Sequence, residues 1–107
     1  MVLQHLMAWN DYSSDRHEIS FWRTRSGVEI DFIVYGPQGL WAIEVKHNKQ
    51  IHSSDTRALE AFREDYPTAK TLLLYLGTER FIEKNTLCLP CEEFLLALKP
   101  NLPLWPI

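Results

Sequence analysis

Two runs of alternating residues, Val28 to Tyr35 and Leu40 to Lys46, flank a short punctuation of Gly36, Pro37, Gln38 and Gly39. Period-two alternation on both sides of a Gly/Pro turn specifies an antiparallel hairpin and fixes its register. A four-residue loop pairs Tyr35 with Leu40. Counting back by twos then sets Asp31 opposite Glu44 and Glu29 opposite Lys46. The other face is apolar throughout, with Val28, Ile30, Phe32 and Val34 beside Trp41, Ile43 and Val45, a surface expected to pack on a helix while the charges face outward.

The remaining segments organise around this hairpin. Leu3, Leu6 and Met7 recur at helical spacing until Asn10, Asp11, Ser13 and Ser14 interrupt them. This helix has no N-cap of its own, so the chain reads as truncated at its N-terminus. Ile19 to Thr24 reads as a strand, closed by a turn at Ser26 and Gly27. Ser53, Ser54 and Asp55 offer caps for a second helix with apolar positions Ala58, Leu59, Phe62 and Tyr66, ended at Pro67. Lys70 to Gly77 is nearly continuous in apolar residues, as expected of a strand buried on both faces. A further strand is expected from Asn85 to Leu89. Pro90, Glu92 and Glu93 then start a last helix through Phe94, Leu95 and Leu98. The expected fold is α/β (α+β), ordered α-β-β-β-α-β with a β-α addition, a mixed sheet flanked by helices. Residues 1–99 read as one domain, and 100–107 as a Pro-rich tail docked by Trp105.

The charged face of the hairpin carries the chemistry. Opposed side chains on paired strands stand about 4.5–5.5 Å apart, and two carboxylates at that distance repel unless a cation joins them. Asp31 and Glu44 are therefore candidate ligands of Mg²⁺ or Mn²⁺, hard cations that take oxygen donors. Lys46 is a candidate charge stabiliser or base for phosphodiester hydrolysis, and Glu29 either a further ligand or the residue that fixes Lys46. The bland alternative is a surface ion pair beside two solvated acids.

Asp31, then twelve intervening residues, then Glu44-Val45-Lys46 resembles the D-x(n)-E-x-K signature of the PD-(D/E)XK nuclease superfamily. The longer string FWRTRSGVEIDFIV with LWAIEVK is similar to the C-terminal domain of unknown function that follows an AAA-type ATPase module in many bacterial and archaeal proteins. That likeness runs from about Val2 to Leu98. It implies a restriction-endonuclease-like core and metal-dependent cleavage of nucleic acid, DNA being the expected substrate. Asp31, Glu44 and Lys46 take the catalytic positions, and the carbonyl of Val45 is an additional metal ligand. Related domains place an acid on the first helix, where this chain has Gln4 and His5. The resemblance also implies an ATPase partner, or a weakened module that binds nucleic acid or that ATPase without cutting. No glycine-rich phosphate loop is present for ATP hydrolysis. Cutting two strands needs two sites, which makes a homodimer one expected assembly.

Arg23, Arg25 and Ser26 at the Gly27 turn, with Lys49 and His47 beyond the second strand, are candidate contacts to a nucleic-acid backbone. Trp22 is expected in the core in preference to stacking on a base. The four histidines, His5, His17, His47 and His52, are expected on the surface. Cys88-Leu89-Pro90-Cys91 imitates a redox motif or half a zinc site, but only sixteen residues follow Cys91, too few for a thioredoxin fold.

Charge is consistent with a local site and not with a global basic field. The chain of 107 residues has 11 Lys and Arg against 14 Asp and Glu, net −3. Segment 16–52 sets Arg16, Arg23, Arg25, Lys46 and Lys49 against Glu18, Glu29, Asp31 and Glu44, the least acidic balance in the chain. Without a signal peptide or a membrane-length apolar run, the expected location is the cytoplasm.

Overall fold

The computed structural model describes residues 1–13, 16–37, 39–101 and 104. The chain opens with helix α1 (Val2–Asp11), followed by strands β1 (Glu18–Arg23), β2 (Glu29–Gly36) and β3 (Gly39–Val45). A 3-10 turn at Ser53–Thr56 leads into α2 (Arg57–Asp65), then β4 (Lys70–Tyr75), β5 (Phe81–Glu83), β6 (Thr86–Pro90) and α3 (Cys91–Ala97). The six strands form one mixed sheet in the order β1-β2-β3-β4-β6-β5. β1, β2 and β3 are antiparallel neighbours, β3, β4 and β6 run parallel, and β5 folds back against β6. The expected α/β class and element order are present, with β5 as an addition. No helix among the described residues is long and apolar enough to cross a membrane.

Helices cover both faces of the sheet. On one side Val2, Leu6 and Trp9 of α1 and Phe94 of α3 close over Val34, Trp41, Ile43, Leu72 and Leu74. On the other, Leu59 and Phe62 of α2 close over Ile33, Ala42, Leu73 and Cys88. β4 is buried from Thr71 to Tyr75, as its unbroken apolar run requires. The inward stripe of α1 is Val2, Leu6 and Trp9; Leu3 and Met7, which share the helical spacing, face outward. Trp9 brings the end of the helix into the same core as Trp41.

Asn10 does more than stop α1. Its buried side chain accepts the His17 N–H at 2.6 Å and donates to the His17 carbonyl at 2.7 Å, clamping the helix to the start of β1. The expectation of a surface His17 is therefore corrected. It is 5% exposed, its ring 5.0 Å from that of Trp9 and 5.8 Å from that of Trp41. His5, His47 and His52 are exposed. Trp22 is half-buried and packs edge-on against Phe62 with ring centroids 5.2 Å apart, at the margin of the α2 core and not inside it. Trp105 lies outside the described residues, but Leu104 beside it is buried in the α1 and α3 core.

The hairpin closes in the expected register, with Tyr35 opposite Leu40 and Phe32 opposite Ile43. A bulge in β2 alters the pattern toward its amino end. Ser20 pairs with Ile33 and Trp22 with Ile30, so three steps along β2 match two along β1. The extra residue breaks the alternation. Ile30 joins Ile33 under α2, while Phe32 and Val34 face α1 and α3. The expected single apolar face running through Ile30, Phe32 and Val34 is thereby corrected, as is the expectation that the opposite face is simply solvated.

Candidate functional site

β3, β4 and β6 all point their carboxyl ends to the same edge of the sheet, and the antiparallel β2 brings its amino end there. In open α/β sheets this edge is where ligands bind, because the loops diverge and leave a crevice. A groove of about 520 Å³ lies here, lined among others by Asp31, Val45, Lys46, His47, Leu76 and Cys91. These residues come from the ends of four different strands. The first turn of α1 forms a further wall through Val2 and Leu3.

The β2–β3 ladder runs regularly to Phe32 and Ile43, and there two carboxylates take over from backbone pairing. The Asp31 N–H donates to Oε1 of Glu44 at 3.2 Å. The Val45 N–H donates to Oδ2 of Asp31 at 2.8 Å. Each acid thus engages one oxygen with the backbone of the other strand. The bulge explains the arrangement, since an added residue re-aims Asp31 along the sheet. The structure brings together Asp31 and Glu44, as the hairpin register anticipates.

The two acids differ sharply in environment. Asp31 is exposed, whereas Glu44 is 7% exposed, on the Ala42 side of β3 that α2 covers. Burial pushes the Glu44 carboxyl up to about 7, and hydrogen bonding to the Asp31 side chain and the Asp31 charge add to the rise; Lys46 opposes it. Burial is the main cause of the raised Glu44 proton affinity, and the repulsion expected of paired acids adds to it.

Lys46 continues directly from β3. Its N–H donates to the Leu74 carbonyl at 2.8 Å, extending the parallel β3–β4 ladder, and its side chain is half-buried at the groove. Glu29 does not meet it. Where β2 leaves β3, Glu29 pairs with β1, and its carboxylate lies 2.9 Å from Nε of Arg23 with both side chains exposed. Val45 is half-buried and lines the groove.

The outlying cationic candidates are dispersed on the surface. Arg25 and Lys49 are exposed, and Ser26 shares a 2.9 Å hydrogen bond with Thr24. Cys88 and Cys91 are both thiols, on opposite faces of the sheet. Burial, followed by the charges of Glu83 and Asp55, pushes the Cys88 thiol up to about 11, and burial also raises Cys91. Such thiols are the reverse of an activated redox pair.

Among the described residues no three His, Cys, Asp or Glu side chains cluster to hold a metal. The acids that do converge, Asp31 and Glu44, nevertheless suit a hard cation that keeps most of its water. Sequence reasoning missed Leu76 and Cys91 as lining residues. The parallel direction of β4 and β6 would have located them, but strand direction is not written in the apolar pattern of either strand.

A family model described as "Domain of unknown function (DUF4143)" matches residues 1–94. No curated protein and no solved structure shows a significant match to the chain.

Proposed function

The chain belongs to the DUF4143 family, whose description carries no activity, and from the geometry of the site we propose that this domain hydrolyses phosphodiester bonds of nucleic acid, DNA foremost, with Mg²⁺ or Mn²⁺. The observation that carries the reading is the convergence of Asp31 on buried Glu44 at the edge of the sheet, where Asp31 and Lys46 line the groove. Stability alone disfavours two acids placed against each other, one of them nearly inaccessible. The likeness of Asp31, Glu44, Val45 and Lys46 to the PD-(D/E)XK signature points the same way.

Asp31 and Glu44 would hold the cation, with the Val45 carbonyl as a further donor. When bound, such a cation polarises a phosphoryl group and makes water a better nucleophile at neutral pH. The protein's own contribution is positional. The bulge sets Asp31, the buried sheet fixes Glu44, and the continued β3–β4 ladder holds Lys46 where its ammonium can stabilise charge developing on phosphate. Arg25 and Lys49, both exposed, are suited to contacts with the backbone of a bound strand, a positioning role.

A second reading keeps the same surface without turnover. It is favoured by one observation: the first two turns of α1 present Gln4 and His5 and no carboxylate, its one acid, Asp11, standing at the far end and paired with Arg16, and His5 Nδ1 is engaged with the Met1 carbonyl at 2.8 Å. In that case the domain binds nucleic acid, or a partner ATPase, through the groove.

A cleavage assay decides between them. Wild type is incubated with single-stranded, duplex and branched DNA and with RNA, in Mg²⁺, Mn²⁺ or EDTA, beside Lys46→Ala and Glu44→Ala. Metal-dependent cleavage reduced about 10²-fold or more in Lys46→Ala is expected. Full cleavage by both variants rules out this site.

A further inference from the structure

We infer that the groove at the carboxyl ends of β3, β4 and β6 seats an unpaired nucleobase, so that the substrate class is single-stranded or locally unpaired nucleic acid. This rests on the phosphodiester reading for the chemistry beside the groove, and on the groove's own walls for its occupant.

The walls are mostly apolar. Leu3, Phe32, Val45 and Leu76 line the same space as Asp31 and Lys46. Leu3 is 43% and Leu76 is 53% exposed, although the sheet nearby is densely covered. Large apolar side chains gathered at the rim of a concavity mark a binding surface. Its volume of about 520 Å³ falls in the range of small-ligand pockets.

The polar groups narrow the occupant. A purely apolar partner side chain filling this groove would strip water from Asp31 and Lys46 and leave them without compensation. A nucleotide answers both demands, since its base offers a flat body to Leu3, Phe32 and Leu76 while its phosphate meets Lys46. A paired base cannot do this. In a duplex the faces of the bases are stacked against their neighbours, and only edges and backbone reach a protein surface. Contacts to base faces are indifferent to sequence and belong to single strands.

The test is equilibrium binding to the full 107-residue chain, followed by fluorescence anisotropy in EDTA at low salt so that nothing is cut. The probes are a labelled single-stranded 12-mer of DNA, its duplex, and the same strand with every base replaced by an abasic sugar. Expected are affinities about tenfold or more higher for the base-bearing single strand than for either other probe. Leu76→Ser, a change at an exposed position, should erase most of that preference. Equal affinity for all three probes overturns the inference, as does a preference left intact by Leu76→Ser. Cleavage assays separate the two readings. Metal-dependent cutting that needs Glu44 but ignores strandedness overturns the base seat and leaves the hydrolase. A base preference without any cutting keeps the seat and removes the hydrolase. Failure of every probe to bind at low salt overturns both.

Discussion

The N–H of Asp31 lies 3.2 Å from a carboxylate oxygen of Glu44, at the point where the ladder between their strands stops. Backbone pairing at this point is replaced by two acids, each accepting an N–H from the other strand. The proposed activity grows from that substitution.

Glu44→Gln is expected to stabilise the metal-free protein at alkaline pH. The Glu44 carboxyl sits near 7 in the folded chain against an ordinary value of 4.5. The folded state therefore holds this proton more tightly than the unfolded state. Its contribution is fully present below pH 4.5 and is lost as pH rises through 7, a change of at most about 3 kcal/mol. Glutamine keeps an acceptor for the Asp31 N–H and cannot ionise. Urea unfolding at pH 5 and pH 8 should show a wild type that weakens between them and a variant that is flatter and about 1–3 kcal/mol more stable at pH 8. Identical pH dependence in the two proteins would contradict the assignment.

Glu29→Ala is expected to leave both stability and cleavage close to wild type. Its ion pair with Arg23 is solvated on both sides, and such pairs contribute about 0–1 kcal/mol. A loss of cleavage comparable with that of Lys46→Ala would bring Glu29 into the site despite its pairing.

Gly36→Ala tests the clamp at the other end of the sheet. A Cβ at Gly36 would stand 2.5 Å from His17 Cδ2 and 3.0 Å from the His17 Cα. The His17 backbone is pinned by Asn10, so it cannot easily retreat. Overpacking of this kind costs about 1–3 kcal/mol, read as a lower midpoint in thermal or urea unfolding. An unchanged midpoint would mean that the β1–β2 edge is softer than its hydrogen bonds suggest.

The hairpin is legible in the sequence because Gly36 and Gly39 bracket its loop, and one pairing then determines every other. That logic holds until the bulge. Nothing in Glu29-Ile30-Asp31-Phe32 announces an extra residue, since a bulge depends on how β1 lies alongside, and so alternation puts Ile30 on the wrong face. Burial of Glu44 is hidden for a related reason: alternation tells which residues share a face, not whether a helix covers it. β5 is hard to read in the sequence because its turn sets Lys84 at positive φ, where glycine or asparagine would be the visible signal, and leaves Asn85 as the one turn residue of that kind. His17 reads as an ordinary polar residue until Trp9 and Trp41 close around it. The acids of the candidate site are readable from register alone, whereas the groove beside them depends on the parallel crossover from β3 to β4.

The most direct measurement of the central claim is a calorimetric titration of Mn²⁺ into the protein at pH 8, with Glu44→Gln and Asp31→Asn alongside. One saturable site is expected in the wild type, lost or greatly weakened in both variants, and weaker in the wild type at pH 5, where Glu44 holds its proton. Absence of saturable binding in the wild type at millimolar Mn²⁺, or binding that both variants retain unchanged, would contradict it.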